Sequence, residues 1–459
     1  AGFIVVALGC GLFTNQIILS DFMEEHQINI RMFRPMESYQ KYGGVLTFAR
    51  SVGYAVVKKP EGYTTAKVDQ IIQEYEKKSA NAQQSTAKQY PNIITVVNET
   101  FADIKVLGDF KTNEDYMPYF HSLKKNCVTG YTYASIVGGQ TANTEFELLT
   151  GNTLGFLSAG TTAFQLYIHG QMPSLVSNLK AEGYSGNKAM HPFNPYNYNR
   201  PAVYKDFGFT DFIDKFDFPK NVKRVREYIS DEACVDRIIS EYEKNRKKTD
   251  QPFYMYNMTI QNHSPYDKDA ANFKQSIKIE SSKYDAEANR YLNLIKYSDD
   301  SLKQLTSYFE KCKEPTIILF LGDHQPRLTD EFMNKITNGQ YQTWSSEQMM
   351  KRYQVPFVIW ANYDIKEQHI EKTSMNYMQS ILTQTAGVKM TGYQRFLNEI
   401  RKEVPTITSQ GYWGKNGKFY QINDKGSPYY GIIQKYRMIQ YNMMFDKKNR
   451  RDSFFEVSK

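Results

Sequence analysis

The sequence predicts an α/β protein whose central sheet is covered by helices on both faces. From Tyr90 onward, short apolar runs typical of buried strands alternate with longer runs of helical periodicity, which is the pattern of layered α/β folds. Two of the apolar runs, NIITVV and TIILFL, are each followed closely by acidic residues. Side chains that follow parallel strands lie at the carboxyl edge of the sheet, where α/β proteins bind their ligands.

The individual elements follow from the spacing of apolar residues. The predicted strands are NIITVV, PFYMYNMT and TIILFL, and the predicted helices are MPYFHSLKKN, PSLVSNLKAEG and RYLNLIKYSDDSLKQLTSYFEKC. Upstream, VDQIIQEYEKKSA has helical periodicity, KYGGVLTFARSVGYAVVKKPEGYT is predicted to be extended, and SANAQQSTAKQ has the composition of a linker. After about Lys389, the run GYWGKNGKFYQIND predicts a small antiparallel sheet with turns at Gly414 and Gly417.

Composition limits the classes of function. The chain has 459 residues, of which 41% are hydrophobic and 14% aromatic, so it can form a large core. Its net charge of +8 is spread thinly, with dense basic clusters at 245–248 and 447–451. Neither cluster has the interleaved aromatic residues or glycines of a nucleic-acid module, so nucleic acid is not an expected partner; a solvated face or attraction to anionic lipid explains them. The four cysteines are widely spaced and indicate neither a zinc site nor a disulfide framework.

Three side chains at the ends of two predicted strands form a candidate site for one divalent cation. Glu99 follows NIITVV, and Asp323 and His324 follow TIILFL. Carboxylate and imidazole groups are common ligands of divalent metals. A carboxylate at a strand end often only caps the next helix, but adjacent Asp and His make a poor cap pair and a good metal pair. Together the two segments favour a metal site.

The hydroxyl of Thr144 is the candidate nucleophile. It lies in GGQTANTEFELLTG, where paired glycines precede an amphipathic helix. Glu147 follows three residues later, so a capping box is the structural alternative. Beside a divalent cation at a helix N-terminus, however, a hydroxyl becomes acidic enough to attack an electrophile.

Further polar side chains are candidates for binding an anionic substrate. His263 follows PFYMYNMT, and at that edge it could hydrogen-bond a phosphoryl oxygen or protonate a leaving alkoxide. The Pro- and Asn-rich loop MHPFNPYNYNRPAVY contains His191, Tyr198 and Arg200. Arginine offers a bidentate fork to phosphate, and tyrosine can contact a polyol. The alternative for this loop is a rigid structural excursion.

The segments considered so far, taken in order, resemble the lipoteichoic acid synthases and related phosphoglycerol transferases of the sulfatase and alkaline phosphatase superfamily. The resemblance runs through KKPEGYT, YPNIITVVNETFAD, TANTEFELLTG, HPFNPYNYNR, NHSPY, LGDHQP, GYWGKNGKFY and QYNMMFD. It implies the fold of that superfamily. It also implies that one Mn²⁺ or Mg²⁺ is bound by Glu99, Thr144, Asp323 and His324, with Thr144 also the nucleophile. A glycerol phosphate pocket would be formed by His191, Tyr198, Arg200 and His263.

The resemblance has two departures and a functional consequence. Phe193 and Tyr198 replace an acidic residue and a tryptophan of lipoteichoic acid synthases, so headgroup recognition is expected to differ. The implied reaction moves glycerol phosphate from phosphatidylglycerol, through a phosphothreonine, to a glycolipid, a polyglycerolphosphate chain or a wall polysaccharide. It would take place on the outer face of the cell membrane of a Gram-positive bacterium.

Other functions are open at this point. A phosphodiesterase or phosphatase would use the same nucleophile and release its product to water. A sulfatase would need a Cys or Ser followed by Pro at the second place and Arg at the fourth, and none of the four cysteines has that context. A scaffolding protein with a degenerate site is disfavoured because all the candidate metal ligands are present.

The chain is expected to divide into four parts. Residues 1–15 are apolar and are predicted to be the end of a transmembrane helix, with a buried helix as the alternative, since a full span needs about 20 apolar residues. Residues 16–89 are predicted to be a juxtamembrane linker with helices, 90–388 a sulfatase-like catalytic domain and 389–459 a C-terminal subdomain.

Overall fold

The computed structural model of the protein describes residues 35–55, 57–79, 89–280, 285–339 and 341–457. The predicted end of a transmembrane helix at 1–15 and nearly all of the linker run SANAQQSTAKQ lie outside these residues. Within them, no helix is both long enough and apolar enough to cross a membrane.

In the described part of the chain, the strands form one large sheet and two small ones. They are β1 (Asn92–Asn98), β2 (Cys127–Tyr133), β3 (Ser185–Met190), β4 (Asp211–Ile213), β5 (Arg224–Val225), β6 (Tyr228–Ile229), β7 (Phe253–Met258), β8 (Thr316–Gly322), β9 (Gln354–Ala361), β10 (Gln368–Ser374), β11 (Thr406–Thr408), β12 (Gly411–Trp413) and β13 (Phe419–Tyr420).

The large sheet has eight strands in the order β10-β2-β9-β8-β1-β7-β3-β4. Strand β9 is antiparallel to both of its neighbours, and every other neighbouring pair is parallel. The three strands predicted from sequence become β1, β7 and β8, which lie side by side in the middle of the sheet. Their residues are buried on both faces, as their continuous apolar composition requires.

The helices cover both faces of this sheet. They are α1 (Pro35–Tyr42), α2 (Gly44–Ala55), α3 (Thr65–Lys78), α4 (Pro118–Ser122), α5 (Thr141–Thr150), α6 (Ala163–Leu166), α7 (Leu175–Ala181), α8 (Arg200–Phe207), α9 (Asp231–Arg246), α10 (Ala286–Phe309), α11 (Asp330–Ile336), α12 (Ser346–Met349), α13 (Met378–Thr385), α14 (Gly392–Glu403), α15 (Tyr430–Met444) and α16 (Asp452–Phe455). Apolar residues of α3, α5, α7, α8 and α13–α15 form one core, and those of α9–α11 form the other. The predicted fold class, a central sheet with helices on both faces, is confirmed.

The prediction that KYGGVLTFARSVGYAVVKKPEGYT is extended is wrong, because this segment contains helix α2. Its glycines and β-branched residues have weak helix propensity, but tertiary contacts decide the conformation. The Thr47 hydroxyl donates to the Ser38 carbonyl of α1 at 3.1 Å, and the Tyr167 hydroxyl donates to the Tyr54 carbonyl at the end of α2 at 2.8 Å.

The C-terminal region contains the predicted antiparallel sheet, in the order β11-β12-β13. The turn between β12 and β13 contains Gly414 and Gly417, as predicted, and Gly417 has a φ of 75°, which favours glycine. The remainder of this region is largely helical, since α14, α15 and α16 contribute buried side chains to the first core.

Candidate active site at the carboxyl edge of the sheet

Glu99, Asp323 and His324 meet because the strands that precede them are neighbours. β1 and β8 are parallel, and Asn98 lies opposite Gly322, so the residues that follow the two strands emerge at the same height. One ligand atom from each of the three side chains lies within 4.8 Å of the other two. All three side chains are buried. The structure therefore brings together the cluster that was predicted from sequence.

The hydrogen bonds around this cluster leave two acceptors facing each other. Asp323 Oδ1 accepts from the main-chain N–H groups of Thr100 at 2.7 Å and His324 at 2.8 Å. His324 Nδ1 lies 3.0 Å from the carbonyl oxygen of Gln325, which can only accept, so Nδ1 carries the proton and Nε2 presents a lone pair. Nε2 and Asp323 Oδ2 are 3.2 Å apart, and neither has a hydrogen-bond partner among the residues that the structure describes. Two buried acceptors in this arrangement fit a shared divalent cation.

Glu99 adds a second carboxylate to the cluster. Burial, followed by the negative charge of Asp323, raises the pKa of Glu99 well above its ordinary value. Its main chain is fixed on both sides, since its N–H donates to the Thr259 hydroxyl and its carbonyl accepts from the Asn262 amide, both at 3.0 Å. These main-chain hydrogen bonds hold the Glu99 side chain in place beside Asp323. A bound cation would offset the repulsion between the two carboxylates.

Helix α5 presents a different hydroxyl to the cluster than the one predicted. The helix begins at Thr141, after Gln140 with a left-handed φ of 66°, so Thr144 is the fourth helical residue. The Thr144 hydroxyl is fully buried and donates to the main-chain carbonyl of Asp323 at 2.8 Å. The Thr141 hydroxyl lies 3.5 Å from Glu99 Oε2 at the helix N-terminus. The geometry assigned to Thr144 from sequence therefore fits Thr141 better.

The capping box considered for Thr144 does not form. Glu147 instead accepts through one oxygen from the hydroxyls of Ser135 at 2.7 Å and Thr153 at 3.2 Å, and from the N–H of Leu154 at 2.8 Å. Burial raises the pKa of Glu147 to about 7. Through these hydrogen bonds, the Glu147 carboxyl connects helix α5, which carries both threonines, to the segment after β2 and to the turn after α5.

The two predicted pocket histidines lie on loops after neighbouring strands. His191 directly follows β3, and His263 follows β7, with which β3 pairs. His191 Nδ1 lies 3.0 Å from the Met258 carbonyl, and burial followed by the positive charge of Arg200 holds the pKa of His191 well below its usual range. Burial also lowers the pKa of His263. Both imidazoles are therefore neutral near pH 7.

Arg200 is buried and already has a carboxylate partner. Its Nε and Nη2 donate to Glu145 Oε1 at 3.1 and 2.7 Å. The other oxygen of Glu145 accepts from the hydroxyls of Tyr256, at 3.1 Å, and Tyr204. Burial alone would lower the pKa of Arg200, but the Glu145 carboxylate more than offsets this and raises it. Glu145 holds the Nε side of the planar guanidinium, so the end formed by Nη1 and Nη2 is the one that can bind a ligand.

Tyr198 and Phe193 form the aromatic wall of this region. The backbone of Tyr198 is left-handed, with φ 59°, and its ring centroid lies 5.0 Å from the guanidinium carbon of Arg200. The ring of Phe193 stacks on His263 at 6.3 Å between centroids with an interplanar angle of 20°. Of the predicted pocket residues, Tyr198 thus contacts Arg200, while His191 and His263 each contact the ring of Phe193.

Sequence reasoning missed Thr141 and Glu145. The run TANTEF contains two threonines that are one helical turn apart, and the one that faces the sheet edge depends on where the helix begins. That start is set by the conformation of Gln140, which no sequence pattern specifies. Glu145 adjoins Thr144 in the same run, and its charge in an otherwise buried helix was the available signal of a buried partner.

A sheet edge that gathers two carboxylates, an imidazole and a threonine hydroxyl can hold a divalent cation next to a hydroxyl nucleophile, which is the chemistry of metal-dependent hydrolases and transferases. The chain belongs to the sulfatase family, because a model of that family matches residues 91–388.

Curated relatives include lipoteichoic acid synthases, which confirms the predicted resemblance. A putative cyclic beta-1,2-glucan modification protein of Rhizobium meliloti is 30% identical over 433 residues, covering 93% of this chain and 65% of the relative. A lipoteichoic acid synthase-like protein of Bacillus subtilis is 27% identical over 237 residues, covering 51% and 36%. The lipoteichoic acid synthase of Staphylococcus aureus is 28% identical over 190 residues, covering 40% and 28%. The chain spans less than two thirds of the length of these relatives.

Solved structures show the same fold. The phosphoglycerol transferase GacH of Streptococcus pyogenes, in complex with sn-glycerol-1-phosphate, matches 88% of this chain and 100% of its own with a TM-score of 0.70 and 20% identity. The lipoteichoic acid synthase LtaP of Listeria monocytogenes matches 83% and 98% with a TM-score of 0.58 and 18% identity.

Proposed function

We propose that the protein is a metal-dependent phosphoglycerol transferase that moves glycerol phosphate from phosphatidylglycerol to a cell-envelope acceptor. The observation that carries this proposal is the pair of acceptors on Asp323 and His324 that lack a hydrogen-bond partner among the described residues. They lie beside Glu99, whose Oε2 is 3.5 Å from the Thr141 hydroxyl. Such a site suits attack by an alcohol on a phosphate diester. The similarity to lipoteichoic acid synthases supports the choice of donor.

The proposed metal ligands are Glu99, Asp323, His324 and Thr141, the last in place of Thr144. A bound divalent cation would lower the pKa of the threonine hydroxyl and neutralise charge on the phosphoryl oxygens. A donor set that includes imidazole favours Mn²⁺ over Mg²⁺, which prefers oxygen ligands and retained water.

The reaction has two phosphoryl-transfer steps. First, Thr141 Oγ1 forms a bond to the donor phosphorus, the bond from phosphorus to the diacylglycerol oxygen breaks, and the threonine proton ends on diacylglycerol. Then a hydroxyl of the acceptor forms a bond to the same phosphorus, the phosphothreonine bond breaks, and Thr141 regains a proton. Arg200 would bind the phosphoryl oxygens through the edge of its guanidinium that Glu145 leaves open.

His263 is proposed to accept the proton of the acceptor hydroxyl in the second step. Its Nδ1 lies 2.7 Å from the Ser264 carbonyl, which can only accept, so the proton is on Nδ1 and Nε2 is free to accept one. Because burial lowers its pKa, the imidazole is in the neutral form that can take the proton of an incoming hydroxyl. His191 and Tyr198 would contact the glycerol headgroup.

A glycan is the acceptor class that the comparisons support best. The relative that aligns over nearly the whole chain is described as a putative cyclic beta-1,2-glucan modification protein. This favours a polysaccharide over a glycolipid or a polyglycerolphosphate chain among the acceptors expected from sequence. Because the donor is a membrane lipid and the acceptor belongs to the envelope, the domain is proposed to work on the outer face of the cell membrane.

Mass spectrometry of the protein after incubation with phosphatidylglycerol and Mn²⁺ tests the proposal. We expect a glycerol phosphate adduct on Thr141, and its transfer to an added beta-glucan. An adduct on Thr144 would move the nucleophile to that residue. An adduct that is released only to water, at the same rate with and without glucan, would instead indicate the phosphodiesterase alternative.

A further inference from the structure

Large hydrophobic side chains are strongly exposed in two parts of the described structure. Tyr196 and Phe216, which are 82% and 73% exposed, lie on loops that follow strands β3 and β4. The others lie on the helices α1 and α2, and they are Met36, Tyr39, Val45 and Phe48. Single exposed hydrophobic residues are ordinary, but Tyr196 and Phe216 lie on loops at the carboxyl edge of the sheet, where the candidate site lies, and this placement indicates an interaction surface.

The loop after β4 connects this exposed surface to the candidate pocket. Its sequence from residue 215 to 224 is KFDFPKNVKR, which contains four basic residues and one acidic residue. Lys215 Nζ lies 4.9 Å from the ring centroid of Phe216 and 5.9 Å from that of Phe193. Phe193 in turn stacks on His263. Only three contacts therefore separate the exposed Phe216 from a proposed catalytic imidazole.

Helix α2 is linked to the loop that carries Tyr196 through helix α6. The Tyr167 hydroxyl, just after α6, donates to the Tyr54 carbonyl at the end of α2. Helix α6 also contacts the turn 197–199, which directly follows Tyr196. The exposed apolar residues of α1 and α2 are thus linked through α6 to the loop that carries Tyr196.

We propose that Tyr196, Lys215, Phe216 and Lys220, here called the lipid rim, dock the catalytic edge onto an anionic lipid bilayer. The inference rests on the proposed function, because a lipid donor must be drawn from the bilayer at this edge. Aromatic rings favour the headgroup region of a membrane, and lysines near an anionic surface strengthen binding. Lys223 is paired with Glu232, so Lys215 and Lys220, with the neighbouring Arg224, carry the positive charge of this loop.

The basic cluster at 245–248 provides a matched control surface. It lies at the end of α9 and precedes β7. β7 is parallel to β1, so the cluster is at the amino edge of the sheet, opposite the metal ligands. Lys248 is exposed there. Like Lys220, it can be replaced by a neutral residue without altering a side chain of the candidate site.

The test compares two forms of the donor with the whole chain. Transfer is measured from phosphatidylglycerol in vesicles and from dibutyryl phosphatidylglycerol kept as a soluble monomer. We expect Phe216→Ser to raise the apparent KM for vesicles roughly tenfold, from the lost burial of one ring in the interface. Lys220→Ser should raise it about fivefold. Both variants should keep wild-type kcat and a wild-type KM for the soluble donor, and Lys248→Ser should match wild type with both donors.

Several results would overturn the lipid rim. Equal losses with both donors would place Phe216 in the headgroup pocket, and a Lys248→Ser effect as large as that of Lys220→Ser would place docking elsewhere. Weakened binding of glucan, with vesicle kinetics unchanged, would make the surface a glycan site.

Failure of the proposed function gives a separate signal. If wild-type protein transfers from neither donor, the reaction is refuted, and co-sedimentation with phosphatidylglycerol vesicles still tests the rim. The variant and the wild type differ only at position 216. Weaker co-sedimentation of Phe216→Ser than of the wild type would support the lipid rim, and equal co-sedimentation would reject it.

Discussion

The metal cluster and the headgroup pocket share one edge of the sheet, but their charges are balanced differently. In the cluster, two carboxylates and a lone pair of His324 converge, and none of the three side chains forms an ion pair with an arginine or lysine among the described residues. In the pocket, the guanidinium of Arg200 is already neutralised by Glu145, whose oxygens accept four hydrogen bonds. The cluster thus needs a ligand to balance its charge, whereas the pocket is pre-organised before any ligand arrives.

This difference determines what mutations in each region should do. Removing a charge from the cluster relieves repulsion between buried acceptors, so binding and catalysis should suffer more than folding. Removing one partner from the pocket leaves a buried charge unpaired, which typically costs about 3–5 kcal/mol of stability. Activity and stability should therefore separate in the cluster and fall together in the pocket.

The largest effect is expected for the two threonines of α5. Thr141→Ala should lower transfer by roughly 1,000-fold or more, because it removes the proposed nucleophile. Thr144→Ala loses one hydrogen bond to the Asp323 carbonyl, which should cost about 1 kcal/mol of stability and leave most activity. Steady-state transfer and thermal melts of both variants measure this contrast. The reverse ranking, with a folded and active Thr141→Ala protein, would return the nucleophile to Thr144.

Metal binding is the next largest effect. Asp323→Asn should weaken Mn²⁺ binding by about 100-fold or more, since a neutral amide replaces a charged ligand. Isothermal titration with Mn²⁺ measures the affinity directly. Asp299→Asn is the matched control, because Asp299 is also a buried aspartate but accepts from the N–H groups of Tyr119 and Phe120. Undiminished affinity in Asp323→Asn would remove this residue from the site.

The pH dependence of stability tests whether Glu147 is buried with a raised pKa. This residue lies on α5, the helix that joins the two regions. Burial raises the pKa of Glu147 from 4.5 to about 7, so the folded state binds its proton more tightly than the unfolded state. Stability from this group is then fully present below about pH 4.5 and is lost as the pH rises through about 7, by up to roughly 3 kcal/mol. Urea titrations across this range should show the loss in the wild type and a flatter profile in Glu147→Gln. Identical profiles would mean that Glu147 titrates normally.

Arg200→Lys should have a smaller effect on the reaction. Lysine keeps the charge but cannot bind Glu145 and phosphate with one planar fork, so kcat/KM for the donor should fall by roughly 10- to 100-fold. Arg352→Lys is the control, since Arg352 is buried and donates to the Pro326 carbonyl without a proposed substrate contact. If both variants lose stability and keep wild-type kinetics, the loop that carries Arg200 has only a structural role.

The metal cluster could be predicted from the sequence more fully than the headgroup pocket. The cluster was predictable because NIITVV and TIILFL pair in parallel, and register alone then places the residues that follow them together. The pocket depends on partners far apart in sequence, since Glu145 and Arg200 are 55 positions apart and no local pattern links them. The choice between Thr141 and Thr144 depends on one backbone angle at Gln140, and the helix at 44–55 on contacts with other elements.

The smallest expected effect tests whether the pocket is pre-organised. Tyr256 donates to Glu145 from β7, on the side of the carboxylate away from Arg200 Nη2. Tyr256→Phe keeps the ring and removes this one hydrogen bond, which should cost about 1 kcal/mol of stability, or somewhat more because the acceptor is charged. If Glu145 holds Arg200 in place for phosphate, KM for the donor should also rise about two- to threefold while kcat stays unchanged. Tyr254→Phe, on the same face of β7, is the control, because its buried hydroxyl makes no hydrogen bond to Glu145 or Arg200. A rise in KM for Tyr254→Phe as large as that for Tyr256→Phe would show that the tyrosines of β7 act through packing alone, and that the guanidinium does not depend on its carboxylate for orientation.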